Sequence, residues 1–136
     1  MLPNGEPVFL TGDFNEPSHL DWTEEAAQSG LHSLKVAYPT SRQVAKAGLK
    51  DAFRERYPDP VAVPGATWPT GGYLETPASS IPDPEDRIDF VYFTGTEIRV
   101  KSVQRLGEAA ETSEIAFPEY PSDHRAVLAT FELPQP

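Results

Sequence analysis

Short apolar runs separated by polar turns make up most of the chain, a pattern typical of a β-rich domain with few helices. The first run, at residues 8–10, leads into Gly12 and predicts a short buried strand. Segments rich in Val, Ile and aromatic residues predict later strands at 87–93, 97–105 and 124–133.

Three short helices are predicted between the first strand and the later ones. Ser18 is the predicted N-cap of the first, which extends to Gly30. The second covers residues 42–47, and the third covers 51–57, where Pro58 ends it. Because helices follow the first strand and adjacent strands come late, we expect an α/β (α+β) fold in which a mixed β-sheet carries helices on one face.

A proline-rich stretch separates the helices from the later strands. Seven prolines fall between Pro58 and Pro84, which predicts an irregular connection with one short strand near residues 66–68. Loops of this length often border a site, and they are as often solvated connections without a role. The sequence leaves both interpretations open.

The composition indicates one domain without thiol chemistry. The chain has 136 residues and no cysteine, which excludes disulfides, zinc–thiolate sites and a cysteine nucleophile. The first residues carry no signal-peptide pattern, and no run of about 18 apolar residues occurs. We therefore expect a soluble protein, and its compartment is unknown.

Acidic residues outnumber basic residues. The 21 Asp and Glu against 11 Lys and Arg give a formal net charge of -10. This charge repels polyanions, so tight non-specific binding of nucleic acid is disfavoured. The excess carboxylates either keep the protein in solution or hold a divalent cation, and composition alone favours the first reading.

Two polar side chains follow the first predicted strand. Asp13 and Asn15 are two residues apart, so in an extended segment both face one side while Phe14 points into the core. A carboxylate beside an amide suits a metal-bound water or a phosphate oxygen. Asp and Asn after Gly are also ordinary turn residues, so the pair needs support from elsewhere.

Two further polar clusters stand beside later strands. Asp89 interrupts the apolar run R-I-D-F-V-Y-F, and a carboxylate buried there requires Arg87, another cation or an imidazole nearby. The alternative is an edge strand with Asp89 in water. Asp123 and His124 stand where a loop becomes a strand. Bonded to Asp89 through Nδ1, His124 becomes an oriented acid–base or charge-stabilising group; isolated, it is as often structural.

In this order, G-D-F-N-E-P at 12–17, R-I-D-F at 87–90 and S-D-H at 122–124 resemble the C-terminal half of the endonuclease/exonuclease/phosphatase family. That family includes DNase I, abasic-site endonucleases, neutral sphingomyelinases and inositol-phosphate phosphatases. The G-A-T-W at 65–68 is similar to the strand that such proteins place between the two acidic clusters. The resemblance covers nearly the whole chain and implies half of a DNase I-like four-layer α/β sandwich.

The resemblance also implies catalytic roles. Asp13 would position or deprotonate the attacking water, and Asn15 would hydrogen-bond the phosphoryl oxygens. Asp89 would orient His124, which would stabilise charge at phosphorus. Asp123 would lie close to a Mg²⁺ or Mn²⁺ ion or to that histidine. In-line attack on a phosphoester needs such a placed nucleophile and positive charge on the equatorial oxygens.

One departure from the family pattern bears on activity. Family members carry a strand ending in Asn, and another bearing the Glu that binds Mg²⁺, well before the G-D-F-N element, whereas eleven residues precede Gly12 here. We therefore expect residues 1–136 to form one partial domain without its N-terminal half. The isolated chain would be a weak or inactive Mg²⁺-dependent phosphoester hydrolase. The alternative is a non-catalytic half-domain that binds a partner, or itself, through an exposed sheet face.

The substrate stays open at this point. The acidic balance favours a small phosphoester, a lipid head group or a nucleotide over duplex DNA. Trp68, Arg42 and Arg125 are the candidate substrate-binding residues, although both arginines are also typical surface residues. Trp22 and Tyr73 are aromatic candidates for the substrate opening, with Trp22 more typical of a core.

Overall fold

A computed structural model of the chain describes residues 6–71, 85–95 and 97–133. Its first sheet has three antiparallel strands in the order β1-β3-β2, with β3 in the centre. These strands are β1 (Val8–Asp13), β2 (Lys50–Asp51) and β3 (Asp89–Thr94).

The second sheet also has three strands, in the order β5-β4-β6. The strands are β4 (Arg99–Gly107), β5 (Ile115–Ala116) and β6 (Ala126–Glu132). β4 pairs antiparallel with β6 and parallel with β5, so this sheet is mixed. The predicted α/β fold class is confirmed, with the strands divided between two sheets. Both edges of β3 are already paired with β1 and β2, so β4 and β6 pair with each other instead.

Three short helices lie between strands of the first sheet: α1 (Glu24–Gln28) and α2 (Pro39–Lys46) between β1 and β2, and α3 (Ala52–Arg56) between β2 and β3. The prediction for the first helix was wrong about its start. Thr23, not Ser18, is the N-cap, because the Thr23 hydroxyl accepts a hydrogen bond from the Ala26 amide. Ser18 is fully buried, and its Oγ accepts a hydrogen bond from the Leu20 amide, 3.1 Å away, within a turn before the helix.

Aromatic residues of β3 contribute to both clusters of the core. Phe93 packs with Ala52, Phe53 and Val103, while Phe90 and Tyr92 form a second cluster with Leu49. Side chains on β6 complete the packing, since the rings of Phe93 and Phe131 lie 5.1 Å apart.

Phe14 anchors the end of β1 in this core, as the sequence predicts. Its ring lies edge-on to Phe90 at 5.5 Å and to Tyr92 at 5.4 Å. The residue therefore fixes the polar positions on either side of it.

A network of four buried charges lies under the first sheet. Arg87 is 3% exposed and pairs through Nη2 with Asp21 at 2.9 Å and Asp51 at 2.7 Å. Arg54 pairs with the same Asp21 at 2.6 Å, and the Asp51 carboxylate also caps α3. Two carboxylates and two guanidinium groups thus balance one another inside the protein.

The segment near residues 66–68 forms a single bridge, not the strand that we predicted. Trp68 and Asp86 pair as an isolated antiparallel bridge, in which each amide donates to the other's carbonyl. Ala66, Thr67 and Thr70 are buried around it. Among the residues that the structure describes, no helix is long and apolar enough to cross a membrane.

Candidate active site

Two carboxylates face each other across the first sheet. Asp13 is the last residue of β1 and Asp89 the first of β3, and the antiparallel register makes them direct partners. Like charges in directly opposed positions destabilise a sheet unless a cation or a hydrogen-bond donor compensates them. The pair therefore indicates a place where positive charge belongs.

His124 supplies one such group. Its Nδ1 lies 2.9 Å from Oδ2 of Asp89, and both side chains are largely shielded from solvent. Arg87, another partner that the sequence offered for Asp89, does not pair with it. Its guanidinium pairs instead with Asp21 and Asp51 on the other side of the segment. The imidazole, and not the neighbouring guanidinium, is thus the partner of Asp89.

The pKa of His124 is raised above its ordinary value of 6.5. Burial by itself lowers this pKa, but the hydrogen bond to Asp89 and the negative charges of Asp89, Asp13 and Asp123 outweigh burial. The surroundings of His124 therefore favour the protonated, positively charged ring.

Asn15 lies beside Asp13, but the two side chains are not brought together by an extended segment in which alternate residues face the same side. The chain leaves the extended conformation at Asn15, whose φ is 49°. This turn lets the Asp13 carboxylate accept hydrogen bonds from the Asn15 amide at 2.7 Å and from its side-chain Nδ2 at 2.9 Å. The carboxylate and the amide are therefore presented together, as expected, by a tight turn.

The three groups form a cluster with the chemistry of a metal site. One ligand atom from each of Asp13, Asp89 and His124 lies within 4.8 Å of the other two. Carboxylate oxygens are the ligands that Mg²⁺ and Mn²⁺ prefer, and the opposed carboxylates leave negative charge for a cation to neutralise. The donor set thus fits the divalent ion that the resemblance implies.

Asp123, the predicted metal neighbour, is not one of these three ligands. Its backbone carbonyl accepts a hydrogen bond from the Thr70 amide at 2.9 Å, which holds the loop before β6. Its carboxylate acts on His124 through charge, as one cause of the raised pKa.

The candidate substrate-binding residues are placed differently from one another. The Trp68 ring is half-buried beside His124, with 6.4 Å between ring centroids. Arg42 is exposed on α2, and in the described part of the chain it has no hydrogen bond or ion pair with the cluster. Trp22 is half-buried and stacks on His32 at 4.2 Å. Tyr73 lies outside the described residues.

Arg125 corrects the expectation of a surface residue. It is 1% exposed, its Nη2 pairs with Glu108 at 2.6 Å, and its Nη1 donates to the carbonyl of Ala66. A guanidinium enclosed in this way is not accessible to a substrate. Sequence reasoning missed Glu108, since nothing nearby in the chain identifies an acid 17 residues away as the partner.

Comparison with known proteins agrees with the site. A model of the Endonuclease/Exonuclease/phosphatase family matches residues 1–124. The chain therefore belongs to this family, a superfamily of phosphoesterases and nucleases, and the resemblance read from the three motifs is confirmed.

A curated relative is an uncharacterized protein of Caenorhabditis elegans, F14F9.5, which is 37% identical over 130 residues. The match covers 92% of this chain and 40% of the relative, so the chain spans less than half of that protein's length. No solved structure matches the chain.

Proposed function

We propose that this chain carries the aspartate–histidine part of the active site of a divalent-metal-dependent phosphoester hydrolase. The observation that carries the proposal is the convergence of Asp13, Asp89 and His124, which are up to 111 residues apart in sequence, within 4.8 Å. Family membership supports the reaction class.

The hydrogen bond between His124 and Asp89 defines what each ring nitrogen does. An ionised carboxylate only accepts, so Nδ1 carries the proton and Nε2 is left to face a phosphoryl group. With the pKa raised, the ring holds positive charge that stabilises the negative charge gathering on phosphoryl oxygens. Asp89 is then the group that orients His124 and stabilises its charge.

Asp13 and Asn15 act on the other side of the reacting phosphorus. Asp13 positions the attacking water or accepts its proton. Asn15 donates one side-chain amide proton to Asp13, and its second, which has no acceptor among the residues that the structure describes, can hydrogen-bond a phosphoryl oxygen. The bond between them keeps the nucleophile and the phosphoryl ligand at a fixed separation.

Asp13 and Asp89 are the residues of this chain that would hold Mg²⁺ or Mn²⁺, with Asp123 nearby. A bound divalent ion supplies Lewis-acid stabilisation of charge on the phosphoryl oxygens. Mg²⁺ is usually bound through one or two carboxylates, and waters and substrate phosphates supply its other oxygen ligands. We also propose that residues outside this chain contribute to the site, which the greater length of the worm relative supports.

The proposed substrate is a small phosphoester, a lipid head group or a nucleotide. The net charge of -10 opposes binding of duplex DNA, whose phosphates require clustered cations. The arginines beside the site in sequence offer no charge to a phosphate, because Arg87 is paired with Asp21 and Asp51 and Arg125 is paired with Glu108.

The test is the substitution His124→Ala in the full-length protein, assayed with bis(p-nitrophenyl) phosphate and Mg²⁺. We expect turnover to fall by about three orders of magnitude, because both the charge and the proton of the ring are lost. The control is His32→Phe, which keeps an aromatic ring on Trp22 and should leave turnover unchanged. Near-normal activity in His124→Ala would refute the proposal.

A second candidate function is a binding or self-assembly module. Large apolar side chains are exposed on strands of both sheets, including Phe9 at 44% and Leu10 at 41% on β1 and Leu128 at 48% on β6. Surfaces of this kind often contact another chain. Sedimentation of the purified chain tests this candidate, and a monomer at all concentrations would exclude self-assembly.

A further inference from the structure

Thr67 is a fully buried residue whose hydroxyl bonds to the start of β3. Its Oγ1 accepts hydrogen bonds from the backbone amides of Ile88 at 3.0 Å and of Asp89 at 3.2 Å. A hydroxyl oxygen has two lone pairs, so both bonds form at once. The catalytic candidate Asp89 is thus held through its own backbone amide.

The backbone of Thr67 bonds to the segment that carries His124. Its carbonyl accepts a hydrogen bond of 2.7 Å from the amide of Arg125, the residue after His124. Its amide donates to the carbonyl of Asp86 at 2.9 Å, which fixes Thr67 against the strand entry. A single residue therefore contacts the backbone beside both members of the aspartate–histidine pair.

The geometry gives this contact a chemical consequence. Asp89 and His124 are 35 residues apart. Asp89 begins β3 in the first sheet and His124 precedes β6 in the second, so no local structure sets the distance of 2.9 Å between Nδ1 and Oδ2. A shift of about 1 Å in such a pair is enough to cost about a hundredfold in rate. The four hydrogen bonds of Thr67 are the direct connection that fixes this separation.

We propose that Thr67 is a positioning residue for the Asp89–His124 pair, acting through its hydroxyl. The inference rests on the proposed function, in which that pair acts on a phosphoester. It adds a residue that touches neither substrate nor metal and that sets the geometry of the groups that do.

The test compares Thr67→Val, which has the same shape without the hydroxyl, with Thr67→Ser, which keeps it, in the full-length protein. With bis(p-nitrophenyl) phosphate and Mg²⁺, we expect kcat of Thr67→Val to fall about 10- to 100-fold with KM within about threefold of wild type. Thr67→Ser should keep kcat within about threefold of wild type, because its Oγ can accept both bonds.

The matched control is Ser18→Ala. Ser18 is as fully buried as Thr67, and its hydroxyl also accepts a hydrogen bond from a backbone amide, that of Leu20. This bond lies in the turn before α1. This variant should lose thermal stability without losing kcat. If Thr67→Val does not fold, Thr67→Cys takes its place, since a thiol is a weak acceptor, and its kcat should fall at least tenfold below that of Thr67→Ser.

A second readout does not depend on activity. The Nδ1 proton of His124, held by Asp89, should give a downfield proton magnetic resonance signal that is absent in His124→Ala. We expect the signal in wild type and Thr67→Ser, and its loss or an upfield shift in Thr67→Val.

The outcomes separate the two proposals. Full kcat and an unchanged ring-proton signal in folded Thr67→Val, or in Thr67→Cys, would overturn the role of Thr67 and leave the proposed function standing. Full activity of His124→Ala would overturn the proposed function, while the ring-proton signal would still decide whether Thr67 positions the pair.

Discussion

Two groups of charged residues lie on opposite sides of the segment around residues 87–89, and they handle negative charge differently. In the buried network, Asp21 and Asp51 are matched by Arg54 and Arg87, and all four side chains are at most 6% exposed. In the candidate active site, the carboxylates of Asp13 and Asp89 lie beside one imidazole, which bonds to Asp89, and both remain open to solvent in part. The charges of the buried network are balanced and shielded from solvent, whereas those of the candidate active site are unbalanced and partly accessible.

The difference shows what each group can do. Buried charges are tolerated only when paired and hydrogen-bonded, so the network stabilises one arrangement of the chain and has no capacity for a ligand. Opposed carboxylates with a single partial partner keep an affinity for an added cation. Excess negative charge at a strand end is thus the feature that distinguishes the candidate active site from the structural ion pairs here.

The largest expected effect is on turnover. Asp89→Asn keeps a carbonyl oxygen for the Nδ1 proton but removes the charge that supports the imidazolium. We expect kcat/KM in the full-length protein to fall by about 10²- to 10⁴-fold, with bis(p-nitrophenyl) phosphate as substrate. Asp59→Asn, at an exposed loop position, is the control. An equal loss of turnover per folded molecule in Asp51→Asn would break the distinction between the two groups.

The next effect is on stability. Arg87→Met leaves two buried carboxylates without their shared cation, so we expect the free energy of unfolding in urea to fall by about 3–5 kcal/mol. The exposed Arg99→Met should change it by less than about 0.5 kcal/mol. A loss in Arg87→Met no larger than in Arg99→Met would show that the network is not held by its charges.

A smaller effect concerns acid stability, through the ion pair of Glu108 and Arg125. Burial raises the pKa of Glu108, but hydrogen bonds from Arg125 and from the Gly71 amide outweigh it and lower the pKa to about 2. Because the folded-state pKa is depressed, the stabilisation is present above the ordinary value of 4.5 and is lost as pH falls towards 2.

We expect this loss to amount to about 1–2 kcal/mol, since solvent screens a carboxylate at the surface. Urea unfolding between pH 5 and about 2 measures it. Glu108→Gln should be less stable than wild type at neutral pH and should lose less as the pH falls. A parallel pH dependence in both proteins would contradict the assignment.

The smallest effect is metal binding itself. At a Mg²⁺ concentration equal to the dissociation constant, the protein should gain about 0.4 kcal/mol of stability, visible as a rise in Tm. Asp13→Asn should remove this gain, while Glu108→Gln should keep it. A rise in Tm that survives in Asp13→Asn would place the ion elsewhere.

Local patterns in the sequence predicted much of the fold. The later strands, the second and third helices and the family motifs follow from residues close together in the chain, such as Asp51, which caps α3. The predicted start of the first helix was wrong because local sequence could not decide it. Ser18 and Thr23 are both good N-cap residues, and only packing selects between them.

The candidate site was predictable as a set of residues and not as an arrangement. Asp13, Asn15, Asp89 and His124 stood out because polar groups interrupt or end apolar runs. The sequence left Arg87, another cation and an imidazole open as partners for Asp89, and it named Arg125 and Arg42 equally as candidate substrate-binding residues. Thr67 belongs to the G-A-T-W motif at 65–68, but nothing in the sequence indicates which residues it contacts.

The sequence by itself therefore determined where β1, β3, β4, β6 and the second and third helices lie and which polar residues stand beside those strands, since these depend on neighbours within a few positions. Only the tertiary structure decided that His124 and not Arg87 meets Asp89, that Arg125 is enclosed with Glu108, and that Thr67 bonds to both sides of the site. Such partners are 17 to 58 residues apart, and the register of strands that brings them together is set by the packing of the whole core.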